Sequence, residues 1–164
     1  MRTRSITPFI AAAAIAGLCG LASVAQAQVA QYGANVTHEQ ARKALAGAVA
    51  DARQQNLPMA IAIVDTAGHL VAFERMDNTQ IGSVGVSQDK AISAALYRRP
   101  TKVFQDALAA GGAGLRILTL RGVSAIEGGV PIVIDGKIAG AIGVSGGSAE
   151  QDGVVAKAGL DAMK

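Results

Sequence analysis

The two histidines of the chain, His38 and His69, are the side chains that could offer an imidazole ligand to a metal centre. His38 lies seven residues before Leu45, so on a helix the two side chains project at nearly the same angle. A ligand at this helix end would meet both an imidazole and an apolar surface, a combination that suits haem. The alternative is an ordinary polar residue in a first helical turn. His69 falls in a predicted turn, where a solvated histidine is common.

A basic cluster of Arg98, Arg99 and Lys102 lies at the junction of two predicted helices. Guanidinium and ammonium groups bind carboxylates, so the cluster could bind haem propionates or another small anion. A run of solvated surface charges is the alternative. The sequence does not place the cluster relative to His38.

Other segments carry weaker signals. The segment 145–148 (Ser-Gly-Gly-Ser) precedes a predicted helix, where free backbone amides could bind an anion, although glycine also serves a tight turn. Met76 is a weak candidate haem ligand, and methionine is more often a core residue. Arg75 and Asp77 could form an ion pair. No nucleophile elbow, zinc signature or phosphate loop occurs, so no catalytic residue is predicted and the balance is against an enzyme.

Capping boxes mark the start of two helices. Thr37 and Gln40 predict a helix that runs to about Gln55, and Ser148 and Gln151 predict another near the end of the chain. The first helix has one apolar face, formed by Ala41, Ala44, Leu45, Ala48, Val49 and Ala52. In the last helix, the residues predicted to face inward are Val154, Val155, Ala158 and Ala162.

Two hairpins are predicted between these helices, over 59–74 and 130–144, with turns at 65–68 and 135–136. The segment between them predicts a helix over 83–97 that Pro100 ends, then a short helix capped by Thr101 and reaching about Ala110. A flexible glycine-rich break follows at 111–114. Two hairpins flanked by helices predict an α+β fold with a mainly antiparallel sheet.

The first 27 residues have the three parts of a secretory signal peptide: a basic start, an apolar run from Ile6 to Val24, and a small-x-small site at 25–27. Cleavage after Ala27 would leave residues 28–164 as one domain in the periplasm or secreted. A membrane anchor is the alternative, but proline and glycine interrupt the run. Cys19 raises a lipoprotein interpretation, which the large Leu18 before it disfavours.

The composition argues against nucleic acid as a partner. The chain has a net charge of +3, and two of its basic residues, Arg2 and Arg4, belong to the predicted signal peptide. Aromatic residues make up 3% of the chain, too few for a base-stacking platform.

Several segments, in their order and spacing, resemble the GlcG/HbpS family from about Thr37 to Lys164. The matching segments are 62–70 (AIVDTAGHL), 74–77 (ERMD), 89–91 (DKA), 99–101 (RPT), 127–131 (EGGVP), 140–147 (GAIGVSGG) and 151–152 (QD). The resemblance implies a profilin-like domain that forms homo-oligomers. It also implies haem as a ligand, because members include an extracellular haem-binding protein that serves a sensor kinase. His38 matches the histidine near the start of the domain that haem-binding members are thought to use.

Three functions remain open on this basis. The first is an exported haem-binding protein that senses or sequesters haem, with a membrane sensor as its partner. The second is an accessory protein or enzyme acting on a small 2-hydroxy acid such as glycolate, since the family includes glycolate-operon members. A basic pocket built from Arg75, Arg98 or Arg99 and remote from His38 would favour it. The third is a non-catalytic oligomeric adaptor.

Overall fold

A computed structural model describes residues 29–164, so the predicted signal peptide and Cys19 lie outside the described residues. The elements, in chain order, are α1 (His38–Gln54), β1 (Ala60–Val64), β2 (Leu70–Arg75), α2 (Ile81–Tyr97), α3 (Lys102–Ala109), a 3₁₀ helix (Gly112–Thr119), β3 (Gly129–Ile134), β4 (Lys137–Ser145) and α4 (Ala149–Asp161). None of the described helices is long and apolar enough to span a membrane.

The four strands form one antiparallel sheet in the order β2-β1-β4-β3. Both predicted hairpins are present, and the second turns through Asp135 and Gly136, whose φ values of 50° and 73° define the positive-φ turn that matches strand twist. The predicted α+β fold is therefore confirmed.

Two apolar clusters occupy opposite faces of the sheet. On one face, Ile61, Ile63 and Ile142 pack against α1 and α4. On the other, Ala62 and Ala141 pack against the small residues Ala91, Ala94 and Ala95 of α2. Because strand side chains alternate between faces, one fully buried strand, β1, supplies both clusters.

Small residues set the distance between α2 and the sheet. A Cβ atom built on Gly143 would lie 2.0 Å from the carbonyl oxygen of Ser87, so a side chain there would push the helix away. This close approach explains how a chain rich in alanine and glycine packs α2 tightly against the sheet with few large side chains.

Both capping boxes form as predicted, with Thr37 accepting from the Gln40 amide and Ser148 accepting from the Gln151 amide. Val154 was wrongly predicted to face inward, since it is 55% exposed while Val155 is buried. The predicted cap of α3 is also wrong, because Thr101 has helical backbone angles and makes no side-chain cap. Its hydroxyl instead accepts a hydrogen bond from the Gly129 amide at 2.9 Å.

The segment at 111–114, predicted as a flexible break, instead forms the start of a 3₁₀ helix that begins at Gly112. The residues before α1 extend the sheet. Gly33 donates to the carbonyl oxygen of Ile138, and Val36 donates to that of Ala139, so this segment lies beside β4 beyond the end of β1. The Tyr32 hydroxyl donates to the carbonyl oxygens of Ala95 and Leu96 at the end of α2. The segment therefore crosses from the α2 face to the α1 face at one end of the sheet.

Candidate functional site

His38 is the first residue of α1 and is exposed to solvent. Its position follows from the capping box, because Thr37 fixes the start of the helix and the imidazole projects from the first turn. Among the described residues, no hydrogen bond or salt bridge involves the His38 side chain. An accessible imidazole without a protein partner is free to bind a ligand.

His69 has a local role in the turn between β1 and β2. Its Nδ1 lies 3.4 Å from a carboxylate oxygen of Asp65, and its side chain is 82% exposed. The other Asp65 oxygen accepts from the amides of Ala67 and His69, each at 2.9 Å. Burial raises the pKa of Asp65, but the two amides and the imidazole lower it by more, so the net shift is downward. His69 therefore belongs to a carboxylate-centred turn.

Arg98 and Arg99 bind parts of their own chain. The Arg98 guanidinium lies 5.3 Å from the centre of the Tyr32 ring, and one of its nitrogens is 3.5 Å from the carbonyl oxygen of Ala30. Arg99 donates to the carbonyl oxygen of Tyr97 at 3.1 Å, and its guanidinium lies 5.8 Å from the Phe104 ring centre.

Lys102 faces two carboxylates. Its ammonium lies 2.9 Å from Asp106 and 3.7 Å from Glu127. The hydrogen bond to Asp106 raises the pKa of Lys102, which keeps it cationic. The three residues of the predicted basic cluster thus have separate intramolecular partners.

The structure does not bring His38 and the basic cluster into one site. His38 begins α1, which packs on one face of the sheet, whereas Arg98 ends α2, which packs on the other. The segment from Ala30 to Thr37 connects the two places around the end of the sheet. A single ligand on the α1 face would meet His38 without Arg98, Arg99 or Lys102.

A buried ion pair joins α2 to α4. The Lys90 ammonium lies 2.6 Å from Asp152 and donates to the carbonyl oxygen of Val144 at 3.0 Å, with 1% of the lysine side chain and 4% of the aspartate side chain exposed. Burial raises the pKa of Asp152, while hydrogen bonds from Lys90 and Gly147 act in the opposite direction. A Cβ atom on Gly128 would lie 2.9 Å from the Lys90 ammonium, so the backbone covers the pair.

The candidate anion site at 145–148 is occupied by the protein's own groups. The Gly147 amide donates to Asp152 at 3.0 Å, and the Ser148 amide donates to the Gln151 side chain at 2.9 Å. These two amides, which an external anion would need, are already satisfied. The glycines serve the strand-to-helix turn.

At least five surface cavities could receive a ligand, among them the following three. An open, mostly apolar groove of about 500 Å³ lies between β3 and the end of α4, with Gln40, Lys157, Leu160 and Met163 in its walls. A cavity of about 440 Å³ lies between α2 and the loop at 122–126, with Val86, Asp89 and Ile92 on the helix side. A shallower one of about 240 Å³ is lined by Arg53, Glu74, Arg75, Met76 and Asp77. His38 does not line any of these three.

Arg75 and Asp77 do not pair with each other among the described ion pairs. Arg53 instead lies 3.9 Å from Glu74. Met76 packs against the apolar core on the α1 face, so it has the core role that is usual for methionine. Within residues 29–164, no group of three or more histidine, cysteine, aspartate or glutamate side chains is arranged to hold a metal ion.

Comparison with known proteins identifies the family to which this fold belongs. A family model described as "Haem degrading protein HbpS-like" matches residues 36–161. The chain belongs to the HbpS-like family. It is 39% identical over 110 residues to Protein GlcG of Escherichia coli strain K12, an alignment that covers 67% of this chain and 81% of GlcG.

Solved structures agree with the family assignment. The HbpS-like chain superposes on the crystal structure of HbpS with a TM-score of 0.72 and 27% identity, covering 80% of this chain and 92% of that one. It superposes on the crystal structure of a PduOC:haem complex with a TM-score of 0.71 and 27% identity, covering 78% and 94% of the two chains.

The residues of this HbpS-like domain fit haem in their chemistry. Haem needs an axial ligand and apolar surface for the macrocycle, and the unpaired His38 imidazole supplies the first. The open groove and the α2 cavity supply apolar walls, and neither includes His38. His38 as the ligand therefore remains a prediction.

Sequence reasoning missed the Lys90–Asp152 pair. Its signal was present in the HbpS-like sequence, because Ser83, Ser87, Lys90 and Ala94 fall on one stripe of α2. A lysine on the small-residue, inward face of a helix needs a buried anionic partner.

Proposed function

We propose that this protein binds haem, with His38 as an axial ligand to the iron. The observation that carries the proposal is the exposed His38 imidazole, which has no partner among the described residues. An imidazole is a common axial ligand of haem iron in proteins. The PduOC relative, of the same fold, forms a haem complex, and this supports extending haem binding to the present chain.

The test is a haem titration followed by the Soret band. It uses the chain from Gln28, which retains both core clusters, in the parent form and as His38→Ala. His69→Ala is the matched control, because it removes the other imidazole while leaving His38 in place. We expect a saturable Soret shift in the parent and in His69→Ala, and its loss in His38→Ala.

The other outcomes are equally informative. A saturable shift that survives in His38→Ala would keep haem binding but reject His38 as its ligand, and Val86→Asp in the α2 cavity would then test that cavity. The absence of any saturable shift in the parent would reject haem binding.

A small carboxylate is the second candidate ligand. The depression lined by Arg53 and Arg75 supports it, since it contains two guanidinium groups and lies near the end of α1 away from His38. Glu74 and Asp77 share the depression and oppose an anion. Calorimetric titration with glycolate, comparing the parent with Arg75→Gln, tests this candidate, which fails if the parent releases no saturable heat.

We also propose that the protein is exported, that it self-associates and that a membrane sensor is its partner. The basic start, apolar run and Ala25-Gln26-Ala27 site support export. Mass measurement of the protein recovered from the periplasm or medium of a bacterial host tests it, with cleavage after Ala27 expected. The sensor partner and the homo-oligomer are proposed from the family resemblance. Light scattering, which measures the size of the oligomer, tests the homo-oligomer.

A further inference from the structure

The segment that follows α3 presents leucines to solvent. Leu115, Leu118 and Leu120 are 53%, 71% and 42% exposed, whereas Ile117 between them is buried. We call residues 115–121, which are the end of the 3₁₀ helix and the two residues after it, the leucine loop. Side chains of this size are usually covered when they cluster, so the loop is a candidate contact surface.

The leucine loop is held in place from behind. Ile117 anchors it, and a Cβ atom on Gly114 would lie 1.8 Å from the carbonyl oxygen of Ala107, so the backbone just before the loop rests directly on α3. The carbonyl oxygen of Arg121 accepts from the Tyr97 hydroxyl at 2.7 Å. The exposed leucines are therefore displayed on a supported scaffold.

The charge of the loop indicates what it contacts. Arg116 and Arg121 are both exposed, and residues 111–123 contain no aspartate or glutamate. Leucines beside arginines, with no acid among them, match an anionic lipid surface. Leucine side chains enter the acyl region of such a surface, while guanidinium groups stay at the phosphates.

The leucine loop lies beside the end of α2. The first described residues meet the end of α2 through Tyr32 and Arg98, and Tyr97 in the same turn binds the leucine loop. We propose that the leucine loop docks the folded domain on anionic lipid bilayers.

The test is sedimentation with lipid vesicles, using the chain from Gln28 so that the apolar run is absent. One vesicle set contains phosphatidylcholine alone, and the other contains equal parts phosphatidylcholine and phosphatidylglycerol. We expect binding to the anionic set that weakens with added salt, and little binding to the neutral set.

Two variants and two controls locate the surface. Leu118→Ser should lower the partition coefficient about tenfold, and Arg116→Gln about fivefold. Ile81→Ser, at an 85% exposed apolar residue of α2, and Arg42→Gln, at an exposed arginine of α1, should bind as the parent does. Circular dichroism verifies that each variant is folded.

Three results would overturn the proposal. They are no sedimentation of the parent, equal binding to both vesicle sets, and parent-like binding by folded Leu118→Ser. Gel filtration of the same samples adds a decisive comparison. If Leu118→Ser lowers the oligomer size and the parent does not bind vesicles, the loop contacts a second copy of the chain.

Discussion

The ammonium group of Lys90 lies 2.6 Å from a carboxylate oxygen of Asp152, and both side chains are almost wholly buried. The pair joins α2 to α4 across the end of β4, because Lys90 also donates to the carbonyl oxygen of Val144 and Asp152 accepts from the Gly147 amide. Three elements from different parts of the chain thus meet at one charged centre.

Removal of Lys90 should destabilise the fold strongly. In Lys90→Met the Asp152 carboxylate stays buried without its partner, and we expect the free energy of unfolding to fall by about 3–5 kcal/mol. Urea denaturation measures the change. The double variant Lys90→Met/Asp152→Asn should lose less than the sum of the two single variants, because the neutral amide no longer needs a cation.

The matched control is Lys157→Met, which removes a lysine whose partner Asp161 lies in solvent. It should lower the free energy of unfolding by less than about 1 kcal/mol. A Lys90→Met protein as stable as the parent would show that the buried pair contributes nothing to stability.

Gly143 should not tolerate a side chain. Its built Cβ atom would lie 2.0 Å from the carbonyl oxygen of Ser87, so Gly143→Ala must displace α2. We expect a loss of about 3 kcal/mol, the upper end for overpacking.

Gly85→Ala on α2 is the control. Nothing lies within 4 Å of its built Cβ atom, and alanine there should stabilise by about 0.5–1 kcal/mol. Thermal unfolding compares the two, and destabilisation by Gly85→Ala would contradict this account of the surface.

Thr101 should matter through its hydroxyl. Thr101→Val leaves the Gly129 amide buried without an acceptor, and we expect a loss of about 1–3 kcal/mol in chemical denaturation. Thr101→Ser should recover most of it. Thr119→Val removes an exposed hydroxyl and should cost less than about 0.5 kcal/mol. If Thr101→Val and Thr119→Val lost the same stability, the buried hydrogen bond would be unimportant.

Local signals predicted most of the fold. The two capping boxes and the Asp135-Gly136 turn act within four residues, so they could be identified without knowing the rest of the structure. Thr101 was assigned to a helix cap because its true partner, Gly129, lies 28 residues away. Nothing in the segment around Thr101 identifies that partner.

The site was less predictable for the same reason. The sequence predicted His38 and the Arg98 cluster as candidate binding residues, but the faces of the sheet that they occupy depend on how the chain crosses its end. The partners Lys90 and Asp152 are 62 residues apart. The stripe of small residues on α2 indicates that Lys90 is buried. Only the packed fold shows that Asp152 is the carboxylate that pairs with it.

Asp161 should titrate well below an ordinary aspartate. Hydrogen bonds from Lys157 and Lys164 lower its pKa from 3.8 to about 2. Because the folded pKa lies below the unfolded one, the carboxylate contributes stability above about pH 4 and loses that contribution as the pH falls towards 2.

A ¹³C NMR titration of the carboxyl group measures the pKa directly. In Lys157→Gln the pKa of Asp161 should rise towards 3.8, since the hydrogen bond that lowers this pKa most is gone. Lys43→Gln, which removes a lysine paired with Glu39 on α1, should leave the Asp161 titration unchanged. A parent Asp161 that titrates near 3.8 would mean that the two lysines do not hold this carboxylate in solution.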